Sequence, residues 1–551
     1  MKVALAQLNY HIGNFDENLQ KILRAIHRAI HEKADLIIFS ELAVCGYPPY
    51  DLLERREFID RCYASLEEIR KQTEHIAVII GSPSINPNEK GKMLYNSAFF
   101  IWKKEIQGIF HKSLLPDYDV FDEYRYFEPN TKFSTAFFKD KKLAITICED
   151  LWDTQPVQNK FGKVKLYPCS PMTELASFHP DVIINIAASP FSSKKETFKK
   201  NILSAHARRH KIPLFYINQT GANTDLIFTG GSMVVNPEGR IFDRLALFEE
   251  DFRIYELAEV CSSSPLYQEE ENDDEIENIY RALATGVRNY FRKSGLSKTV
   301  VGVSGGIDSA VVLCIAVEAL GPSAIKAILM PSVYSSEHSV TDAKELCENL
   351  GVTYHIVPIQ SIFNATRETL YPLMKEYEED KTEENIQARI RGMLLMAVSN
   401  KFGHILLNTT NKSEMAVGYG TLYGDMCGAL SVLGDVYKTD VYRLASFINR
   451  RKKIIPEHIL IKAPSAELKP GQKDSDSLPE YAILDPILYH YIELQESPEE
   501  IISHGFDEKT VHKVINMINT SEYKRFQAPP VLRVSSKSFG ISRKMPLVFK
   551  F

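Results

Sequence analysis

The sequence predicts an α/β protein of two domains, the second of them a doubly wound parallel sheet. Three observations support this prediction. The chain has 551 residues, which is too long for one ordinary hydrophobic core, so two domains of roughly 250–300 residues are expected. A stretch rich in serine, proline and acidic residues lies near the middle. Beyond it, short apolar strands alternate regularly with helical segments, the pattern of a parallel sheet covered on both faces.

The composition is that of a globular protein rather than a disordered one, with 44% hydrophobic and 25% charged residues. The net charge of −6 argues against a general affinity for nucleic acid or for an anionic membrane. Residues 1–7 predict a strand rather than a signal peptide, and no apolar run approaches the ~18 residues of a membrane span. The eight cysteines are scattered without a CxxC pair, which favours reduced thiols in a cytoplasm.

The composition changes over residues 261–277. A Ser-Ser-Ser-Pro run at 262–265 is followed by a block of acidic residues at 269–275, a combination typical of a solvated connector. Taken alone, the stretch is better explained as an exposed loop. Because the strand and helix patterns differ on its two sides, we interpret it as a boundary. The predicted domains are residues 1–260 and 278–551, with 261–277 as the linker.

Short apolar runs predict the elements of both domains. In the first domain, the predicted strands are 36–39, 76–81, 97–102, 143–147, 182–186, 214–218 and 231–236. In the second domain, the predicted strands are 299–303, 324–329, 354–358 and 405–408, and the predicted helices are 309–320, 336–350 and 384–402. Ligands of such parallel sheets bind at the carboxyl ends of the strands, which predicts where the second site lies.

Three strand ends of the first domain each lie beside a reactive side chain. Glu41 and Cys148 follow the predicted strands 36–39 and 143–147, and Lys112 follows the extended run 108–111. A desolvated carboxylate can activate a thiol, and a nearby ammonium can stabilise the oxyanion formed when the thiolate attacks an amide. Each residue has a simpler explanation on its own. A single cysteine is usually a small buried hydrophobe, a single lysine lies on the surface, and Glu41 can be a charge at a helix N-terminus.

The sequence motifs around these three residues resemble those of the nitrilase/amidase superfamily. The matching motifs are SEL at 40–42, CGY at 45–47, HKSLLP at 111–116, CEDLW at 148–152, SPF at 189–191 and FTGGS at 228–232. This resemblance spans residues 1–260 and implies a four-layer αββα sandwich. It also implies that Glu41 is the base, Lys112 the oxyanion support and Cys148 the nucleophile of a glutamine amidase. Tyr118, Glu123 and Ser189 are the predicted glutamine-binding residues, although the stretch around Tyr118 and Glu123 is equally a packed loop.

The SGGIDS string at residues 304–309 lies between a predicted strand and a predicted helix. Glycines let the backbone approach a ligand closely, and amides at a helix N-terminus point toward an anion. The string lacks the lysine of a Walker A motif. It resembles the PP-loop of the N-type ATP pyrophosphatases, which implies ATP as co-substrate and transfer of AMP to a substrate oxygen. Asp308 would approach phosphate through a cation, so Mg²⁺ is implied.

Further motifs narrow the second resemblance to the glutamine-dependent NAD synthetase family. They are LMPS at 329–332, ENIQARIRG at 384–392, NTTNKSE at 408–414, GTLYGD at 420–425, LGDVYKT at 433–439 and PSAEL at 464–468. The resemblance implies ATP-binding residues Ser304, Gly305, Gly306, Asp308, Ser309, Met330 and Thr410. It implies deamido-NAD-binding residues Arg389, Glu414, Tyr423, Asp425, Lys438 and Lys537, and Asp308 and Glu414 as metal ligands. Many relatives have DED where this chain has Asp-Ser-Asp at 474–476.

The implied reaction uses glutamine, ATP and deamido-NAD, and the resemblance also implies a homo-oligomer. Three other functions remain open at this point: an amidotransferase with a different acceptor, a nucleotide-binding regulator with inactive sites, and an RNA-modifying enzyme. The motifs after residue 384 disfavour the first. The intact reactive residues disfavour the second, and the acidic net charge disfavours the third.

Overall fold

The computed structural model describes residues 1–153, 166–193, 195–262, 264, 266–267 and 274–550. It divides into two compact units, Met1–Asn272 and Asp273–Phe551. Residues 263, 265 and 268–273 of the predicted linker lie outside the described residues. Within that predicted range, the helix Glu275–Lys293 begins at an N-cap, where the Asp274 carboxylate accepts a hydrogen bond from the Ile276 amide.

The first unit contains two six-stranded sheets. In spatial order, the first sheet consists of Asp251–Glu256, Lys2–Gln7, Leu36–Ile38, Ala77–Ile85, Leu94–Trp102 and Glu105–His111. In spatial order, the second sheet consists of Ile241–Arg244, Met233–Val235, Leu214–Asn218, Val182–Ala187, Lys141–Ile147 and Ala136–Phe138. A hairpin of Thr220–Asn223 with Leu226–Thr229 completes the strands described in this unit.

Alternating side chains of the first sheet belong to two different cores. Val3 and Leu5 pack in a cluster with residues of the second sheet, whereas Ala4 packs on the other face with residues of two amphipathic helices, Phe15–His31 and Arg56–Lys71. Because successive strand residues point to opposite faces, each strand serves both cores. The shorter helices of this unit are Glu123–Tyr126, Pro171–Ala176 and Leu257–Ser262.

The second sheet carries its own helical layer. The helix Lys195–His210 contributes Ile202, Leu203 and Ala207 to the cluster that contains the second sheet. The layers are therefore helix, sheet, sheet and helix, and the αββα fold predicted from the resemblance is confirmed.

The second unit is built on a five-stranded sheet in which every pair is parallel. Its strands, in spatial order, are Thr353–Ile356, Ile325–Leu329, Thr299–Gly302, Ile405–Asn408 and Leu430–Ser431. The doubly wound prediction is confirmed. The two-residue edge strand Leu430–Ser431 was not predicted, because so short a run has no periodicity to detect.

Helices cover both faces of this sheet. Its longer helices are Glu275–Lys293, Ile307–Leu320, Glu337–Leu350, Gln360–Met374, Lys381–Phe402 and Lys438–Arg451. Val300 and Ile328 pack against Ile390 and Leu395 of the helix Lys381–Phe402. The helix Gln360–Met374 was not predicted, because it contains Pro372 and buries only Phe363, which weakens the apolar pattern of a helix.

A separate helical cluster follows the sheet along the chain. Leu484 and Leu488 pack with Val511, Val514 and residues of the helix Lys412–Val417. The remaining helices of the second unit are Lys412–Val417, Glu457–Ile461, Tyr481–Ile492, Pro498–Ser503, Glu508–Thr520 and Glu522–Arg525. In the part of the chain that the structure describes, no helix is long and apolar enough to cross a membrane.

Candidate active sites

The ends of three strands bring Glu41, Lys112 and Cys148 into one buried region of the first unit. Lys112 follows the strand Glu105–His111 directly, and its Nζ lies 2.8 Å from Glu41 Oε1. The same Nζ lies 2.8 Å from both carboxylate oxygens of Glu123. Glu41, Lys112 and Cys148 are 0%, 1% and 6% exposed, respectively, so these charges interact with little screening by water.

The electrostatics of this cluster follow from two carboxylates sharing one ammonium. Burial by itself lowers the pKa of Lys112, but the charges of Glu123 and Glu41 outweigh it and raise that pKa well above its usual value. Burial raises the pKa of Glu123 to about 7, with the Glu41 charge acting in the same direction against the effect of Lys112. Lys112 is therefore a permanent cation, and the Glu123 carboxyl binds its proton more strongly than an exposed carboxyl does.

Glu41 is oriented by donors on three sides. Besides Lys112, Asn96 Nδ2 donates to its Oε1 at 2.7 Å, and the Ala188 amide donates to its Oε2 at 2.9 Å. Asn96 lies in the buried strand Leu94–Trp102 and was not predicted as a site residue. An asparagine inside an apolar strand was a usable signal, because a buried amide requires hydrogen-bond partners.

Cys148 lies on a strained turn directly after the strand Lys141–Ile147. Its φ of 45° lies in the left-handed region, which is rare for a residue with a side chain. Asp150 fixes the turn, since one carboxylate oxygen accepts from the Ile147 amide at 3.0 Å and the other from the Ser113 and Leu114 amides at 2.9 Å. Asp150 therefore connects the cysteine turn to the segment that follows Lys112.

A further carboxylate lies next to the cysteine. Glu149 is buried, and the hydroxyls of Tyr118 and Tyr167 donate to its Oε1 at 2.8 and 2.9 Å. Burial raises the pKa of Glu149 and, together with the charge of Glu41, raises the pKa of the Cys148 thiol well above its usual value. The resting thiol is thus protonated and requires a base to become a nucleophile.

In the second unit, the SGGIDS loop forms a compact turn at the start of the helix Ile307–Leu320. The Ser304 amide donates to Ser309 Oγ at 3.2 Å, and the Gly306 amide donates to Ser304 Oγ at 3.1 Å. Gly305 has a φ of +81°, and a Cβ at this position would lie 2.2 Å from the Ser339 carbonyl oxygen. Only glycine fits here, and the loop presents a helix N-terminus suited to phosphate.

Two acidic side chains of the second unit share one buried lysine. Lys438 Nζ lies 2.6 Å from Asp308 Oδ2 and 3.2 Å from Glu414 Oε1. Asn411 Nδ2 also donates to Asp308 Oδ1, at 2.9 Å. Burial raises the pKa of Glu414 to about 7. Carboxylate oxygens are the ligands that Mg²⁺ prefers, and two of them converging on one cation fit a bound divalent ion.

A cavity of about 720 Å³ extends from the SGGIDS loop along the carboxyl ends of the strands. Its volume is within the range of small-molecule sites. The half-buried Arg391 lines it and donates from Nε to the Met330 carbonyl at 3.1 Å. Asp474 also lines it and accepts from the hydroxyls of Tyr419 and Tyr481 at 3.1 and 2.9 Å.

Two family models match the chain. The carbon-nitrogen hydrolase model matches residues 2–264, and the NAD synthase model matches residues 279–528. The glutamine-dependent NAD(+) synthetase of Synechocystis sp. is 44% identical over 561 residues, covering 100% of this chain and 99% of the relative. That of Thermotoga maritima is 40% identical over 585 residues, again covering 100% of this chain and 99% of the relative.

The chain belongs to the glutamine-dependent NAD(+) synthetase family.

A solved structure agrees with this assignment. The glutamine-dependent NAD+ synthetase of Acinetobacter baumannii in complex with adenosine diphosphate is 38% identical, with a TM-score of 0.77 over 99% of this chain and 98% of that chain. The glutamine-dependent NAD(+) synthetase of Cytophaga hutchinsonii has a TM-score of 0.83 at 19% identity, which shows a shared fold.

Most residues predicted for the second site of this synthetase surround the cavity. The predicted residues among those lining it are Ser304, Gly305, Gly306, Asp308, Ser309, Met330, Thr410, Glu414, Asp425 and Lys438. Within the described residues, Arg389, Tyr423 and Lys537 are not part of the lining. Arg389 Nε donates to the Leu422 carbonyl at 3.2 Å, and the Tyr423 hydroxyl donates to Gln527.

In the first site of the synthetase, Tyr118 and Glu123 contact Glu149 and Lys112, respectively. Ser189 is held through its backbone, because its amide donates to Asn218 Oδ1 at 2.9 Å. Tyr47, Asn96 and Asn218 were not predicted as site residues. Tyr47 belongs to the CGY motif, and its hydroxyl donates to Glu123 Oε1 at 2.8 Å.

Proposed function

We propose that this synthetase amidates deamido-NAD to NAD, using ammonia that Glu41, Lys112 and Cys148 release from glutamine. The observation that carries the proposal is the Lys112 ammonium at 2.8 Å from both Glu41 and Glu123, in a buried region that also contains the Cys148 thiol. This combination of nucleophile, base and fixed positive charge suits amide cleavage through a covalent thioester.

In the glutaminase step, Glu41 removes the proton from the Cys148 thiol as the sulfur attacks the amide carbon of glutamine. Lys112 stabilises the developing oxyanion. Protonation of the nitrogen by Glu41 releases ammonia and leaves a thioester on Cys148. Water, activated by Glu41, then hydrolyses the thioester to glutamate. Glu123 keeps Lys112 in position, because its two oxygens both accept from Nζ.

Glutamine recognition is assigned to the residues around the cysteine turn. Tyr118, Glu123 and Ser189 are the proposed glutamine contacts, and Glu123 lies next to Lys112. To these we add Glu149, because a buried carboxylate next to Cys148 would pair with the α-ammonium group of an amino-acid substrate.

In the synthetase step, the nicotinate carboxylate of deamido-NAD attacks the α-phosphorus of ATP and displaces pyrophosphate, giving an adenylate. Neutral ammonia then attacks the activated carbonyl and releases AMP. The amides of the loop at 304–309 would bind the phosphates. Asp308 and Glu414 would hold Mg²⁺, which supplies positive charge to the phosphate oxygens when bound. Lys438 lies beside both carboxylates and would balance their charge when that ion leaves.

The nucleotide contacts remain those predicted from the sequence, with one addition. Met330 and Thr410 are assigned to ATP. The residues assigned to deamido-NAD are Arg389, Glu414, Tyr423, Asp425, Lys438 and Lys537. We add Arg391, because its guanidinium lines the cavity and burial lowers its pKa to about 10, which leaves it charged at neutral pH. A cytoplasmic location and a homo-oligomeric state also remain predictions.

The proposal is tested by supplying the purified protein with ATP, Mg²⁺ and deamido-NAD, with either glutamine or ammonium, and measuring NAD. Native protein should form NAD from both nitrogen sources. Cys148→Ala should lose at least a thousandfold of the glutamine-dependent rate and retain the ammonium-dependent rate, because the nucleophile is needed only to release ammonia.

Cys169→Ala is the matched control, since Cys169 is an exposed thiol of the same unit, and both rates should be unchanged. If Cys148→Ala also lost the ammonium-dependent rate, that loss would contradict the proposal that the first site releases ammonia and the second site amidates deamido-NAD. ATP cleavage with another carboxylate but not with deamido-NAD would contradict the assigned substrate.

A further inference from the structure

Three metal-ligating side chains cluster in the second unit away from the ATP cavity: His490, Glu496 and His504. His490 lies near the end of the helix Tyr481–Ile492, Glu496 lies in the following loop, and His504 directly follows the helix Pro498–Ser503. None of these three residues is among those lining the cavity. The proposed function gives this cluster no role.

The two imidazoles converge on a single carboxylate oxygen. His490 Nδ1 and His504 Nε2 each lie 2.9 Å from Glu496 Oε2, and the three atoms lie within 4.8 Å of one another. The donors of a tetrahedral zinc site lie roughly 3.3 Å apart, as follows from metal–ligand distances of about 2.0–2.2 Å. Each imidazole nitrogen would therefore have to move only a few tenths of an ångström away from Glu496 Oε2. The two nitrogens, which lie within 4.8 Å of each other, would have to settle at a similar spacing.

The backbone holds the ligands in this arrangement before any ion binds. The Glu496 amide donates to the His490 carbonyl at 3.1 Å, and the His504 amide donates to the Ile501 carbonyl at 3.1 Å. Ser497 caps the intervening helix by accepting from the Glu500 amide. The rings of His490 and His504 stack with centroids 4.5 Å apart. A preorganised ligand set loses less conformational entropy on binding.

We propose that His490 Nδ1, Glu496 Oε2 and His504 Nε2 bind one divalent transition-metal ion of the Zn²⁺ class, with water in the fourth position. Two imidazoles and a carboxylate favour zinc over Mg²⁺, which prefers oxygen ligands alone. The His504 side chain is 45% exposed, so an ion and its water have access.

The ion would cross-link the segment 490–504, which also contacts the interior of the second unit. Glu493, three residues beyond His490, accepts from the buried Lys412 Nζ at 2.9 Å. Ion binding would therefore stabilise the folded second unit without entering the reaction.

The test is a Zn²⁺ titration of the metal-free full-length protein in competition with a chromogenic chelator. Millimolar Mg²⁺ is present throughout to occupy sites made of oxygen ligands. We expect about one equivalent of Zn²⁺ bound with micromolar or tighter affinity. His490→Ala, His504→Ala and Glu496→Gln should each weaken it at least tenfold. Co²⁺ bound in place of Zn²⁺ should give the intense visible absorption of a tetrahedral site.

Glu496→Gln retains an acceptor oxygen of the same shape, so its loss of binding cannot be ascribed to unfolding. His512→Ala removes an exposed imidazole of the neighbouring helix Glu508–Thr520 and should leave the affinity unchanged. Zn²⁺ should also raise the melting temperature of native protein and of His512→Ala, but not of the three cluster variants. Failure of native protein to compete with the chelator, or unchanged binding in all three cluster variants, would overturn the proposal.

Discussion

Individual residues of the first site depend on partners that are distant in the sequence. Lys112 contacts Glu41, 71 positions away, and Asn96 contacts Glu41 across 55 positions. The motif around each reactive residue could be found in the sequence, because each of these reactive residues follows a run of mostly apolar strand residues. The place of Asn96 in an apolar strand indicates that it needs hydrogen-bond partners, but its pairing with Glu41 could not be predicted, because that hydrogen bond exists only after the strands assemble.

Asn96→Ala tests this role at the residue scale. The substitution removes a donor to the charged Glu41, and a hydrogen bond to a charged group contributes about 1.5–3 kcal/mol. We expect the glutamine-dependent rate of NAD formation to fall roughly 10- to 100-fold, with the ammonium-dependent rate unchanged.

Asn88→Ala is the control for this experiment. Asn88 is an exposed asparagine of the same unit whose Nδ2 donates to the Tyr95 hydroxyl at 3.3 Å. Its replacement should change neither rate. If both variants lost the same fraction of glutamine-dependent activity, Asn96 would have no special relation to Glu41.

At the scale of elements, the loop at 304–309 shows how a short string determines local structure. Its two glycines, its serines and its position between a strand and a helix predicted a phosphate-binding turn, and the observed helix begins at Ile307. The loop's dependence on the helix Glu337–Leu350 was not predictable, since the close approach of Gly305 to Ser339 is set by tertiary packing.

Gly305→Ala tests this loop. A Cβ would clash with the Ser339 carbonyl oxygen, and the φ of +81° would add backbone strain. We expect ATP affinity, measured by calorimetric titration, to fall at least tenfold. NAD formation should fall with either nitrogen source.

Gly351→Ala separates the two causes. Gly351 has a similar φ of +68°, but a Cβ there would meet no atom within 4 Å. This variant should lose about 1–2 kcal/mol of unfolding free energy and keep its ATP affinity. Equal losses of ATP affinity in both variants would show that the contact with Ser339 is unimportant.

At the scale of the whole molecule, each of the two units has hydrophobic clusters of its own. Among the described residues, two clusters consist of residues of the first unit, up to Val260, and two others consist of residues of the second unit, from Val300 onward. Multidomain proteins with separate cores do not generally unfold in one step. The boundary was suggested by composition, but only the packing defines which side chains belong to each core.

Differential scanning calorimetry tests this separation. We expect two unfolding transitions, of which ATP with Mg²⁺ raises only one, because a ligand stabilises the unit that binds it. A ligand at a hundredfold excess over its Kd stabilises by about 2.7 kcal/mol, which corresponds to roughly 5–10 °C for a unit of this size.

Gly305→Ala is the control for the calorimetry. At the same ATP concentration, a tenfold weaker affinity leaves about 1.4 kcal/mol of stabilisation, so the ATP-dependent shift should be about half that of the native protein or less. A single transition that moves as a whole on addition of ATP would contradict independent unfolding of the two units.

The fold class and the family could be predicted correctly from the amino-acid sequence, and the candidate reactive groups could be named there. These features depend on local patterns and on motifs whose order along the chain is specific. Tertiary structure decided which groups meet. Lys438 pairs with Asp308 across 130 positions. The hydrophobic periodicity of a sequence predicts helices and strands but not a contact between residues so far apart. Arg391 lines the cavity whereas Arg389 does not, because residues two apart on a helix point to nearly opposite sides at 3.6 residues per turn.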